Sequence, residues 1–115
     1  MQINKELLKG HIDTIILSLL IDSDLYGYRI SQIVREKTNN KFELKEATLY
    51  ISLKRLEKNK CLKSYWNHES GPGGRRKYYH ITQEGKEVLK NSQAEWTYVK
   101  KTIDLFLEAV NIEEN

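Results

Sequence analysis

Apolar residues recur at steps of three and four along most of the chain, which is the spacing of amphipathic helices. Over residues 3–20 this spacing predicts a first helix with a wide apolar face, and Asp22-Ser23-Asp24 ends it. A second helix is predicted over residues 26–37 and a third over residues 45–59. The chain is therefore expected to open with three consecutive helices joined by short turns.

The third predicted helix has one apolar face and several polar ones. Leu49, Leu53 and Leu56 repeat at i, i+4 and i+7, so we expect them to face inward. The remaining faces would then form a polar, basic surface. Its side chains are Thr48, Ser52, Lys54, Arg55 and Lys58.

Between residues 62 and 81 the pattern changes from helical to strand-like. Tyr65, Trp66 and Ile81 favour strands, whereas Gly71-Pro72-Gly73-Gly74 favours a turn. The segment is predicted to form a β-hairpin with a tip over residues 71–77. This tip carries Arg75, Arg76 and Lys77.

A long final helix is predicted from Thr82, its expected N-cap, to about Val110. At about 1.5 Å per residue it would be about 40 Å long and would extend beyond the rest of the domain. Its apolar residues follow a coiled-coil pattern, so we expect a homodimer whose interface also includes the first helix, within residues 1–20. The predicted interface residues are Leu89, Trp96, Val99, Ile103, Phe106 and Val110.

Composition is typical of a soluble single domain. The chain has 115 residues, of which 39% are hydrophobic and 30% charged, and no apolar run exceeds the length of Ile15-Ile16-Leu17. We therefore expect no membrane span or leader, and a cytoplasmic location. Cys61 is the only cysteine, and its spacing from the histidines matches no zinc site, so no disulfide, metal or cofactor is expected. Cys61 is interpreted as a small buried residue.

The net charge of +3 conceals a basic block in the middle of the chain. Residues 54–77 contain eight basic and two acidic side chains, whereas residues 83–115 contain four basic and seven acidic ones. Such a block is either a solvated lysine-rich face or a binding site for a polyanion. Composition alone does not decide between these two possibilities.

The order of the predicted elements favours nucleic-acid binding. Three helices followed by a hairpin is the layout of a winged helix-turn-helix domain, in which the third helix enters the major groove. The predicted fold is thus mainly α with a small β-hairpin: residues 1–81 form this domain, and residues 82–115 form a dimerisation helix and a short tail. Tyr50 is expected either to contact a phosphate or to pack the helix pair. The predicted DNA-binding residues are Thr48, Tyr50, Ser52, Lys54, Arg55, Lys58, Arg75, Arg76 and Lys77.

Several motifs, in order along nearly the whole chain, resemble the PadR family of transcriptional regulators. The single long C-terminal helix is similar to that of the short-tailed members, which include multidrug-sensing repressors. Two positions depart from the family pattern, with Ile51 where Pro is usual and Lys60 where Gly is usual; Asn59 is expected to help end the third helix instead. The motifs are Leu7-Leu8-Lys9-Gly10-His11-Ile12-Asp13, Tyr26-Gly27-Tyr28, Ala47-Thr48-Leu49-Tyr50, Leu53-Lys54-Arg55-Leu56-Glu57, Ser64-Tyr65-Trp66 and Gly74-Arg75-Arg76-Lys77-Tyr78-Tyr79.

This resemblance implies a dimeric, ligand-responsive repressor that binds a pseudo-palindromic operator in double-stranded DNA. It also implies an effector site at the dimer interface, where an aromatic residue of the last helix faces its symmetry mate across a cavity for planar aromatic or drug-like molecules. The other explanation for Trp96 is that it is a core residue of the interface. The implied effector-binding residues are Trp96, Val99, Lys100, Leu7, Leu8 and Asp13.

Two other classes of function were weighed against a repressor. One is a module that binds nucleic acid without sequence preference, or binds another protein, and has no effector. The other is an enzyme, which is disfavoured because the sequence has no paired carboxylates, nucleophile elbow or phosphate-binding loop. We therefore expect a regulator and not a catalyst.

Overall fold

The computed structural model describes residues 3–68 and 74–113. Within these ranges the chain forms helices and a small antiparallel sheet, which confirms the predicted fold class. The helices are α1 (Lys5–Leu8), α2 (Ile12–Leu19), α3 (Gly27–Lys37), α4 (Glu46–Lys58) and α5 (Gln83–Leu107), and a 3-10 turn (Lys9–His11) joins α1 to α2. The strands are β1 (Leu25–Tyr26), β2 (Leu62–His68) and β3 (Arg75–Ile81).

The first helix is interrupted, so the prediction of one continuous helix over residues 3–20 is wrong. Lys9–His11 forms a 3-10 turn, and His11 has a φ of −114° and a ψ of 2°, which are not helical values. Gly10 lies in this turn, and glycine destabilises a helix by about 1 kcal/mol relative to alanine. The apolar spacing continues through the turn, which is why it does not reveal the break.

The sheet contains a third strand in addition to the predicted hairpin. β2 and β3 pair from Leu62 opposite Ile81 to His68 opposite Arg75. β1 pairs with the other edge of β3, which gives the strand order β1-β3-β2. Tyr26 therefore belongs to β1 and does not begin the second helix as predicted, because a strand of two residues is too short to show alternation.

The predicted tip of the hairpin lies partly outside the described residues, which exclude Gly71, Pro72 and Gly73. Gly74 precedes β3 and has a φ of 46°, in the left-handed region that favours glycine. The three cations expected at the tip are the first three residues of β3. They are therefore fixed by the sheet and do not belong to a turn, which corrects the prediction.

One apolar core joins α2, α3 and α4 to one face of the sheet. The helices contribute side chains that are almost completely buried, and β2 and β3 contribute the apolar residues at the open end of the hairpin, opposite its turn. This core fixes α4 relative to the hairpin, and these are the two elements predicted to contact DNA. Its members include Ile16, Leu17, Leu20, Ile30, Leu49, Leu53, Leu62 and Ile81.

The end of α4 is a Schellman motif built without glycine. The Cys61 N–H donates to the Leu56 carbonyl at 2.9 Å, and the Lys60 N–H donates to the Glu57 carbonyl at 3.0 Å. Lys60 itself adopts the left-handed conformation, with a φ of 64°. Asn59 is the C-cap of α4 and so helps to end the helix, but its φ of −84° shows that it does not take the left-handed conformation expected of it. Cys61 is buried as predicted, and this burial raises the pKa of its thiol.

The start of α5 is anchored against the end of α4. Thr82 is the N-cap as predicted, since its hydroxyl oxygen accepts a hydrogen bond from the Gly85 N–H at 3.0 Å. The same hydroxyl donates to the Lys60 carbonyl at 2.6 Å. A side chain at Gly85 would collide with the Cys61 carbonyl, so glycine allows α5 to pack closely here. α5 ends at Leu107, and Val110 lies beyond it.

None of the helices formed by residues 3–68 and 74–113 combines the length and the apolar character needed to span a membrane.

Candidate nucleic-acid interface

α4 buries one face and exposes the opposite one. Leu49, Ser52, Leu53 and Leu56 are its buried residues. At 100° per residue, a second line of side chains points directly away from them, and every member of this line is exposed. We call this line the outer face of α4; it consists of Ala47, Ile51, Lys54 and Lys58.

The structure places the predicted DNA-binding residues of α4 in different environments. Thr48, Lys54 and Lys58 are exposed, as expected. Ser52 is only 2% exposed, so the prediction that it lies on an outward face is wrong. Ser52 shares the buried face with the leucines, and its hydroxyl oxygen accepts a hydrogen bond from the Arg55 guanidinium at 3.2 Å. Its role is therefore to orient Arg55.

Arg55 is paired with a carboxylate of another helix. Its Nη2 lies 2.7 Å and its Nε 3.1 Å from the two carboxylate oxygens of Asp13 on α2. This bidentate pair raises the pKa of the Arg55 guanidinium further. Arg55 was expected to contact DNA and Asp13 to attract an effector, yet in the structure the two charges neutralise each other. Sequence reasoning did not connect them because they lie 42 residues apart.

We expect Asp13→Asn to leave the fold intact and to free Arg55 for phosphate. The Arg55 side chain is half-exposed and that of Asp13 a third exposed, and such pairs contribute only about 0.2–1 kcal/mol to folding. Each additional phosphate contact would steepen the slope of log K against log salt by about 0.9, which amounts to about 1.8 for a dimer that gains one contact per protomer. Urea denaturation and a salt series of mobility shifts measure the two effects. An unchanged slope would show that Arg55 only supports α4.

Tyr50 combines packing with partial exposure. A Cβ at Gly27, the first residue of α3, would lie 2.5 Å from the Tyr50 hydroxyl oxygen. Tyr50 thus covers the start of α3, as expected for a residue that packs the helix pair. Its side chain nevertheless remains exposed at the edge of α4 next to the hairpin.

The hairpin of β2 and β3, which we call the wing, holds its three cations on aromatic rings. The Arg75 guanidinium lies 4.3 Å from the ring centroid of Trp66, and that of Arg76 lies 4.5 Å from the ring centroid of Tyr26. The Lys77 ammonium lies 5.8 Å from the Tyr79 ring. These contacts hold each cation over a ring, with Arg75 and Lys77 on one face of β3 and Arg76, which alternates with them, on the other. From their sequence positions, Trp66 was predicted only as a strand residue and Tyr26 only as a helix residue, so these contacts with the cations were not predicted.

Glu57 links α4 to the wing. Its carboxylate accepts a hydrogen bond from the Ser64 hydroxyl of β2 and lies 4.0 Å from the Lys77 ammonium of β3. Tyr50 of α4 and the wing cations Arg76 and Lys77 line one open cleft of about 430 Å³. The two elements predicted to bind DNA are therefore neighbours on one surface.

Asp24 attaches the loop before β1 to both strands of the wing. Its carboxylate accepts a hydrogen bond from the Tyr65 hydroxyl at 2.6 Å and lies 2.7 Å from Nδ1 of His80. Partial burial raises the pKa of Asp24, but the hydrogen bonds with Tyr65 and His80 outweigh burial and lower it. The hydrogen bond to Asp24 also raises the pKa of Tyr65 to about 12. Asp24 thus holds both strands of the wing, in addition to the contacts that the wing makes with the core.

Comparison with known proteins decides the family. The model of the transcriptional regulator PadR-like family matches residues 16–91, which is more than half of the chain and includes α4 and the wing. The chain belongs to the PadR-like family. Its members are DNA-binding transcriptional regulators.

Solved structures of PadR-like and related regulators have the same fold. A transcriptional regulator from Clostridium thermocellum is 47% identical with a TM-score of 0.83, and the match covers 90% of this chain and 97% of that one. A PadR family transcription regulator from Clostridium difficile is also 47% identical with a TM-score of 0.76, covering 85% and 99% of the two chains.

An uncharacterized protein from Lysinibacillus sphaericus is 46% identical over 108 residues, which are 94% of this chain and 98% of that protein.

The long C-terminal helix of this PadR-like chain exposes most of its apolar stripe. Gly85 is the one buried residue of α5, all of which the structure describes. Leu89 differs from the other predicted interface residues because it packs against the domain's own core. The rest of the stripe is exposed; it consists of Trp96, Val99, Ile103, Phe106 and Val110.

The residues implied in effector binding lie in dissimilar environments within one protomer. The half-exposed Trp96 ring meets the His11 ring edge to face, with the centroids 5.2 Å apart. Leu7 is exposed on α1, whereas Leu8 packs partly against the core. Val99 and Lys100 follow Trp96 on α5, and both are exposed. The carboxylate of Asp13 is already paired with Arg55.

Proposed function

We propose that this PadR-like regulator is a ligand-responsive repressor that acts in the cytoplasm as a homodimer on a pseudo-palindromic operator. The observation that carries this proposal is the shared cleft, in which Tyr50 of α4 meets Arg76 and Lys77 of the wing. A helix with an exposed basic face next to a cationic wing matches a duplex, in which a major groove about 12 Å wide is bordered by phosphates. In this arrangement α4 reads bases and the wing holds the backbone.

A mobility shift on the gene's own upstream region tests the DNA-binding part. We expect retardation of this duplex at protein concentrations at least tenfold below those needed for a scrambled duplex of equal length and composition. Equal affinity for both duplexes would support the module without sequence preference and contradict the repressor. The salt concentration is kept constant, because phosphate contacts make every such affinity depend on salt.

The exposed stripe of α5 supports dimerisation. Phe106 is 72% exposed, and Ile103 and Val99 precede it on the same side of the helix. An apolar stripe of this length in water is a recognised sign of an interface. Two copies related by a two-fold axis would cover each other's stripe and place two α4 helices on two half-sites.

The surroundings of Trp96 support an effector site on the same axis. Its ring is half-exposed although it contacts His11, so one side remains available to a flat molecule. Two such rings across a dimer axis would stack a planar aromatic compound between them. The effect on operator affinity is limited by the ligand's preference for one dimer geometry, which is typically about 1–3 kcal/mol.

We expect planar aromatic compounds to quench tryptophan fluorescence and to lower operator affinity, and Trp96→Ala to remove most of both responses. The variant should still form dimers and bind the operator, because Trp96 is half-exposed and lies far along the chain from α4 and the wing. Fluorescence titration and mobility shifts in the presence of the compound measure these effects.

Trp66→Ala is the matched control for the effector experiment. Trp66 belongs to the wing and supports Arg75, so its loss should weaken DNA binding but leave ligand affinity nearly unchanged. If quenching disappears with Trp66, or if Trp96→Ala dissociates the dimer, Trp96 is a packing residue and the effector site is contradicted.

A further inference from the structure

The outer face of α4 changes character along its length. Its N-terminal half presents Ala47 and Ile51, and its C-terminal half presents Lys54 and Lys58. Ile51 stands at the centre of this face and is 63% exposed. The large apolar side chain of Ile51 therefore lies where the apolar half of this face meets its basic half.

The exposure of Ile51 is unusual for this chain. Among the described residues between α1 and α5, only Ile21 and Ile51 are exposed large aliphatic side chains, and Ile21 is the less exposed at 44%. Ile51 lies on the side of α4 directly opposite its buried leucines, so the protomer's own core does not cover it. Any group that covers Ile51 therefore comes from outside this protomer.

The basic rim identifies the class of that partner. Lys54 lies beside Ile51 on the outer face, Lys58 follows one turn later, and the wing cations Arg76 and Lys77 lie on the side of α4 that carries Tyr50, next to Ile51 in the sequence. A partner that contacts Ile51 must therefore carry negative charge around an apolar group. The major groove of DNA meets this description, because phosphates border it and the C5-methyl group of thymine projects into it.

We infer that Ile51 contacts the methyl group of a thymine in each half-site of the operator. An isoleucine over guanine, adenine or cytosine would cover polar base atoms without replacing their hydrogen bonds to water, which is costly. Thymine alone offers an apolar group in this groove. The exposed Ala47 and the methyl group of Thr48 lie beside Ile51 and extend the same apolar contact. This inference rests on the proposed function, since it specifies the base that α4 reads.

Replacing single thymines by deoxyuridine tests the inference, because this change removes only the methyl group. Footprinting on the gene's own upstream region defines the half-sites, and each thymine within them is then replaced in turn in synthetic duplexes. We expect one position per half-site at which the replacement weakens wild-type binding about fourfold, the effect of one buried methyl group. Replacement in both half-sites should weaken it about fifteenfold.

The variant Ile51→Ala should bind the thymine and deoxyuridine duplexes equally well at that position. If the variant no longer distinguishes thymine from deoxyuridine, Ile51 is the residue that contacts the methyl group. An equal loss of affinity for both duplexes would not identify it. Ile51 is exposed and alanine favours helices, so the variant is expected to fold. Ile21→Ala, which removes the same atoms outside the outer face, should retain the fourfold discrimination.

Three results would overturn the inference while leaving the proposed function intact. The first is sequence-selective binding in which deoxyuridine has no effect at any position. The second is a deoxyuridine effect that the variant Ile51→Ala still shows. The third is a lower dimer fraction for Ile51→Ala in sedimentation, which would assign Ile51 to a protein interface. Binding without preference for any sequence would instead overturn the proposed function, and the inference with it.

Discussion

The double variant Ile103→Asp/Phe106→Asp is expected to be monomeric at concentrations at which the wild-type protein is a dimer. Both residues lie on the exposed stripe of α5, beyond the part of the helix that begins against the core. A two-fold axis would place identical carboxylates near each other in an apolar interface, where they have no cation to pair with and cannot be hydrated. Sedimentation velocity measures the change, and circular dichroism confirms that the domain remains folded.

The matched control is Ala94→Asp/Lys101→Asp. Both positions are exposed and lie on the side of α5 opposite the stripe, so this variant carries two new carboxylates on the same helix and should remain dimeric. Operator affinity should fall with the loss of the dimer, because one protomer holds one half-site. An intact dimer in the stripe variant would show that α1 and α2 form the main interface, and that α5 contributes little.

The elements that were predicted correctly depend on local patterns. Leucine spacing predicts α4 to within a residue at each end, and Thr82 predicts the start of α5, because a helix face and an N-cap are properties of a few consecutive residues. The hairpin follows from its aromatic residues in the same way. The core that joins these elements is built from the same leucines, and for this reason the fold was predictable.

The features that were missed depend on contacts between distant segments. β1 exists only because Leu25 and Tyr26 reach the free edge of β3, and Arg55 is neutralised only because α2 brings Asp13 to it. Ser52 was assigned to an outward face because only the leucines were placed inward, yet it lies three residues after Leu49 and four before Leu56 and shares their buried face. The contacts of β1 with β3 and of Asp13 with Arg55 each span more than thirty residues, so no local pattern records them, whereas the burial of Ser52 follows from the helical spacing.

The residues of the candidate DNA-binding surface could therefore be predicted from the sequence. Which of its cations already have a carboxylate neighbour within the protein could not. The basic residues of the third helix and the hairpin do lie on neighbouring elements, as expected. Arg55 and Lys77, however, already have carboxylate neighbours in Asp13 and Glu57. All three wing cations stand on aromatic rings, and the two arginines, Arg75 and Arg76, carry the planar guanidinium fork that matches phosphate geometry, so they are the pair to test for phosphate contacts.

The double variant Arg75→Ala/Arg76→Ala is expected to weaken binding to the operator and to mismatched duplexes by about the same factor. The reason is that phosphates are the same in every sequence, and removing one arginine–phosphate pair should flatten the slope of log K against log salt by about 0.9. If all four arginines of a dimer contact phosphates, the slope falls by about 3.6 and affinity near physiological salt falls on the order of a thousandfold. Mobility shifts across a salt series on both duplexes measure this effect.

The pair Lys90→Ala/Lys101→Ala provides the control for that experiment, because it removes two exposed cations per protomer from the part of α5 beyond the cleft that Lys86 lines with the wing, and should leave the slope nearly unchanged. If both pairs flatten the slope equally, the protein binds DNA through its overall charge and the wing has no special part. If the arginine variant loses affinity with an unchanged slope, the wing reads bases or stabilises the fold. A loss confined to the operator would favour base reading, because only base contacts distinguish one duplex from another.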